Sequence, residues 1–182
     1  MKTPQDVLDF WFSEEAEKRW FNSTPSFDAR ILQLFEDTAT ELARGPFPHP
    51  IWEETPEASL ALIIALDQFP RNMFRDTRKA FAWDAQALGA AERMVAKGWD
   101  MELPKARRSF VYMPFMHAED LAAQERCVEL TEPLPGTTHK HAVAHRDVIA
   151  KFGRFPHRNA VLGRESTEAE KAFLADGGYD PS

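Results

Sequence analysis

Two segments of this chain set a Phe-Pro pair beside Arg and Asn. They are Gln68-Phe69-Pro70-Arg71-Asn72 and Arg154-Phe155-Pro156-His157-Arg158-Asn159. Arginine is seldom fully buried without a partner, and proline interrupts a helix. Two such segments next to apolar runs point to a polar site where distant parts of the chain converge. A guanidinium offers a rigid fork of N–H donors that matches a carboxylate or a phosphate, so the chemistry on offer is anion binding. The residues expected to bind are Asp67, Arg71, Asn72, Gln124, Arg154, His157, Arg158 and Asn159.

Acid–base chemistry needs a polar group where the helix pattern calls for an apolar one. Asp67 falls in line with Leu60, Ile63 and Ile64, and is expected at a helix C-terminus, where the macrodipole disfavours a negative charge. It therefore calls for a cation, and Arg71, Arg75 and Arg158 are the candidates. His117 aligns with Met113, Leu121, Gln124 and Val128, and His145 with Ala142, Ile149 and Phe152, so both imidazoles should face inward. His117, Asp120 and His145 are the catalytic candidates, with Asp120 as the carboxylate nearest to tune His117. The plainer alternatives are a hydrogen-bonded core histidine and a buried Asp–Arg tie.

Several familiar chemistries have no support. His141 and His145 have the i,i+4 spacing of metal ligands but no third ligand motif, so no metal is expected. His145-Arg146-Asp147 has Phe152 where a kinase catalytic loop needs Asn. There is no phosphate-binding glycine loop, dinucleotide fingerprint or nucleophile elbow, and no cofactor is expected. Cys127 reads as a small buried hydrophobe rather than a nucleophile.

The elements that must position these residues are helices. Thr3-Pro4, Thr55-Pro56 and Pro104 are start signals, and Thr167-x-x-Glu170 has the form of a capping box. Ser26 to Arg44 carries an apolar stripe that ends at Gly45. The run from Leu60 to Leu66 is apolar on every side, which marks an enclosed helix. Asp76 should cap a long helix ending near Gly98, and Pro114 should kink or end the helix that Pro104 opens. Glu119 falls on the wet face of the next helix. No stretch alternates with β-branched residues, so strands are not expected. The expected architecture is all-α, a single domain over 1–182, with about eight or nine helices in antiparallel pairs.

Charge and composition narrow the partners. The net charge of −7 argues against a general nucleic-acid binder. It is uneven: residues 1–60 carry a net of −7, while 104–164 carry a net of +4 and five of the six histidines. A basic, His-rich second half suits an anion-facing surface. No apolar run reaches the roughly 20 residues a membrane span requires. The lone cysteine and the polar N-terminus lead to the expectation of a reducing cytoplasm.

Four stretches together carry a family resemblance: Val7-Leu8-Asp9-Phe10-Trp11-Phe12, Ala61–Asn72, Tyr112–Arg126, and His145 through Arg158-Asn159 to Ser166. The chain resembles the bacterial "domain of unknown function" family numbered 924 over nearly its whole length. The resemblance implies an all-helical, tetratricopeptide-like fold and no established activity or catalytic residue. Three functions stay open. The site could bind a small anionic ligand, with or without acid–base catalysis. The array could be a scaffold gripping an acidic peptide. The Arg and Asn residues could instead form a purely structural clasp. Oligomeric state is not legible.

Overall fold

A computed structural model of the protein describes residues 1–178. Among the described residues there are helices and turns but no strand. α1 (Pro4–Trp11) starts at Thr3, whose hydroxyl and the Asp6 carboxylate form a reciprocal capping box. α2 (Glu14–Glu17) is a single turn, and α3 (Pro25–Arg44) buries Phe27, Ile31, Phe35 and Leu42. α4 (Pro56–Ile63) passes through a π turn (Ile64–Gln68) directly into α5 (Phe69–Met73). A 3₁₀ turn (Arg78–Phe81) leads to α6 (Asp84–Ala96), then α7 (Lys105–His117), α8 (Leu121–Thr131) and α9 (Thr138–Phe152). A second 3₁₀ turn (Pro156–Arg158), α10 (Asn159–Leu162) and α11 (Glu168–Ala175) complete the described chain. The excess over eight or nine helices comes from short pieces such as α2 and from the π turn that divides α4 from α5.

The enclosed helix is the axis of the fold. Every residue from Ala58 to Pro70 is buried, and α1, α6 and α7 pack around α4 while α3 covers the π turn and α5. Each Leu or Ile so enclosed contributes about 1.5–3 kcal/mol relative to exposure. Beyond it, α6 packs on α7, α7 on α8, and α8 on α9. The second Phe-Pro segment lies outside this main core. Val148, Ile149 and Phe155, with Phe152 and Phe173, form a small cluster of their own at the end of α9. Gly153, at φ 68°, supplies the left-handed residue that turns the chain there.

Three local expectations are corrected. Pro70 does not stop the helix. The Phe69 N–H reaches back to the Ile64 carbonyl in the wider π pattern, which relieves the crowding of the proline ring against the preceding turn. Asp67 therefore sits inside a continuous helix rather than at its end. Asp76 does not cap a long helix: it takes a positive φ of 59° in a turn, and α6 begins only at Asp84. Pro114 does not end its helix: it lies within α7, which continues to His117. So near the C-terminus, a proline costs one backbone bond and the last turn survives.

Candidate functional site

The π turn aims Asp67 into the protein, where its side chain has no exposure to solvent. The carboxylate is held on three sides. His117 Nδ1 lies 2.7 Å from Oδ1, Gln68 Nε2 donates to Oδ2 at 2.5 Å, and Arg71 Nη1 stands 3.3 Å from Oδ1. Burial opposes ionisation, but Arg71 and His117 outweigh it and hold the carboxyl well below the usual carboxylate range. Because the acceptor is a carboxylate, His117 Nδ1 carries the proton and Nε2 keeps the lone pair. Burial and the Arg71 charge lower the His117 pKa, so the ring is neutral near pH 7.

Arg71 ties this pair to the next helix. Its Nη1 donates to the Asp67 carbonyl at 2.7 Å and to Asp84 Oδ1 at 2.9 Å, and Nη2 donates to Asp84 Oδ2 at 3.0 Å. Asp84 also faces Arg158, whose Nη1 lies 3.6 Å from Oδ2. The Arg158 guanidinium sits over the Phe81 ring at 4.6 Å and the Phe155 ring at 4.5 Å. Arg158 is only 6% exposed, and its Nε is buried with no hydrogen-bond partner among the described residues. Burial and the neighbouring Arg71 bring its pKa down to about 10, which leaves it charged at neutral pH. His145, from α9, donates from Nδ1 to the His141 carbonyl at 2.8 Å. Its ring centroid is 6.5 Å from that of His117 and 5.5 Å from that of Phe155. Burial pushes its pKa down to about 3.

Five of the residues singled out in the sequence thus converge: Asp67, Arg71, His117, His145 and Arg158. The others are employed elsewhere. Asp120 is not the partner of His117: it is exposed and caps α8 by accepting from the Ala123 N–H at 2.8 Å. Gln124 Nε2 donates to the Met116 and Ala118 carbonyls at 2.7 and 2.8 Å, closing the end of α7. Asn72 joins Ser23 and Asp28, and Arg75 pairs with Asp28 rather than Asp67. Arg154 grips Glu170 with two bonds of 2.6 and 2.8 Å. Asn159 bonds Ser166 at 3.0 Å and accepts from Arg164 at 2.9 Å. His157 is half-buried against Phe155, ring centroids 5.5 Å apart.

Two important acids escaped the sequence reading. Asp84, the junction of both arginines, opens α6 and looks like any first-turn acid. Helical period alone puts Glu119 on a wet face. It instead takes two bonds from Arg164, at 2.6 and 2.8 Å, and one from the Phe155 N–H at 2.7 Å. A clue lay in the His-x-Glu-Asp string, where the acid immediately before a helix cap lies off the helix and can turn inward.

The arrangement is a nearly closed cluster rather than a deep bowl. The side chains of Arg71, Asp84 and His117 are 20, 19 and 16% exposed, and they form its contact with solvent. Surface depressions of about 360 and 290 Å³, near Phe115 and Leu34 respectively, share no residue with it.

The pattern of the family described as "Bacterial protein of unknown function (DUF924)" matches residues 7–178. The chain belongs to the DUF924 family. A solved structure of a protein of unknown function from Agrobacterium tumefaciens is similar to this DUF924 chain, with 41% identity and a TM-score of 0.89. The match covers 96% of this chain and 97% of that one. No functionally curated protein matches. All the converging residues of this DUF924 member lie within the matched span.

Proposed function

We propose that the cluster binds a small molecule through a carboxylate or phosphate group at Arg158, beside His117 as an acid–base group. One observation carries the reading: Arg158 is buried, charged, and has an Nε without an acceptor. Leaving a buried charged donor unpaired costs about 1–3 kcal/mol or more. Its Nη1 is turned to Asp84, which leaves the Nε–Nη2 edge for a two-oxygen anion. His117 adds the reactive element, because the Asp67 carboxylate orients it with Nε2 as the atom that takes up or gives back a proton. Among the described residues no nucleophile stands in the cluster, so the chemistry they support is proton transfer on the bound molecule. An acidic peptide presents the same carboxylate, but Arg158 lies below the surface, which favours a small ligand. No cofactor is invoked. The single cysteine keeps a reducing, cytoplasmic setting as our reading.

The competing reading is a structural clasp, favoured by the full pairing of Arg71, Arg154 and Arg164. The two separate by experiment. A panel of small carboxylates and phosphate esters is tested for thermal stabilisation of the wild-type protein and of Arg158→Met. The proposal expects stabilisation that the variant loses while still folding. A wild type that responds to no anion, with a variant that merely melts lower, supports the clasp.

A further inference from the structure

The polar cluster has a particular charge balance. Two guanidinium groups, Arg71 and Arg158, face two carboxylates, Asp67 and Asp84. The two imidazoles beside them come from different helices, with ring centroids 6.5 Å apart. His117 meets Asp67 from the π turn, while Arg71 from α5 and Asp84 from α6 act on it through charge. His145 faces His117, Arg158 from the second 3₁₀ turn, and His141 on its own helix. His157 reaches the neighbourhood through Phe155. Glu119 also acts on Arg158 through charge and is itself paired with Arg164; with the imidazoles neutral, the described residues of the cluster therefore carry no net charge, and little of the cluster is exposed.

We propose that a two-oxygen anion binds at Arg158 together with one proton, taken up by the His117–His145 pair. This rests on the anion site proposed above. An added negative charge in a poorly solvated, neutral cluster leaves an excess charge that burial penalises. The neutral bases of the cluster able to cancel it by taking a proton are the two imidazoles. Both are held neutral mainly by burial, and both have a neighbouring cation that the anion would screen. His117 is the better acceptor of the proton, because Asp67 sits on its Nδ1 side and would stabilise the imidazolium. The site would thus take a carboxylate or phosphate in effect as its acid, and hold a proton next to it. That is the arrangement a general acid needs before a proton is delivered to bound substrate.

The test is calorimetric titration of the full chain with sodium sulfate, which presents two of its four oxygens to an arginine fork and does not itself titrate near neutrality. It is run at pH 6.5 in two buffers of different ionisation enthalpy, and repeated at pH 7.5. The buffer dependence of the heat counts protons. Uptake of about one proton per sulfate, with affinity falling by up to about tenfold per pH unit, is the expected result. His117→Gln should then bind sulfate with uptake clearly reduced. Sulfate binding that is lost in Arg158→Met but carries no proton would overturn the coupling and leave the anion site standing. Absence of binding, or binding equal in wild type and Arg158→Met, would overturn both.

Discussion

Asp67 and His117 come from segments 50 residues apart and meet at 2.7 Å, the carboxylate fully enclosed and the imidazole on the solvent side. The pair joins the central helix to the end of α7. Arg71 and Asp84 then extend it to α6, so one buried carboxylate organises three helices.

Removing that carboxylate should be costly. Asp67→Ala leaves Arg71 and His117 without their shared partner and should destabilise folding by about 3–5 kcal/mol. Asp67→Asn keeps an acceptor for His117 and should cost less. Urea denaturation of the three proteins measures the order. Equal stability of all three would show that the cluster does not hold the helices together.

The pH dependence follows from the buried histidines. His145 has a folded pKa of about 3, against an unfolded value near 6.5. Its contribution is present above pH 6.5 and is lost as pH falls toward 3, because the unfolded chain binds the proton first. His117 is lowered in the same direction. Asp67 and Glu119, both depressed, add losses once pH falls below about 4. Stability should fall by on the order of 3 kcal/mol between pH 7 and 4.5. Melting curves across that range check it, and His145→Phe should flatten the upper part of the profile.

Glu119 anchors the C-terminal segment. Its two bonds from Arg164 and one from the Phe155 N–H join the small outer cluster to the start of α8. Glu119→Ala should loosen residues 154–176 before the core. Hydrogen exchange there should rise by about tenfold or more, with α4 unchanged. Uniform acceleration throughout the chain would contradict this.

Gln124 is a cap within the core. Its amide serves two carbonyls at the end of α7. Gln124→Ala should cost about 1–3 kcal/mol, without altering anion binding. A change in binding with unchanged stability would reassign Gln124 to the site.

The helices are legible in the sequence because their signals are local: Thr3-Pro4 starts a helix as expected, with a capping box through Asp6 besides, and Thr167-x-x-Glu170 is the capping box its form suggests. Inward-facing His117 and His145 were legible from helical period. Asp120 was misassigned because nearness along the chain is a poor guide to nearness in space. It caps its own helix, while the acid that reaches His117 lies on another. The π turn had no local signal beyond Pro70 itself, and without it Asp67 reads as a helix end. Arg154 and Arg158 are alike in sequence. Only tertiary packing gives the first a bidentate glutamate and leaves the second between two phenyl rings.

Proton–nitrogen spectroscopy of arginine side chains observes the Nε–H of Arg158 directly. Sodium phosphate is added to the full chain, with Arg158→Lys assigning the resonance. The expected result is a saturable shift of the Arg158 Nε–H, larger than that of exposed Arg30 or Arg44. A resonance that moves no more than those surface groups, at any phosphate concentration, would contradict it.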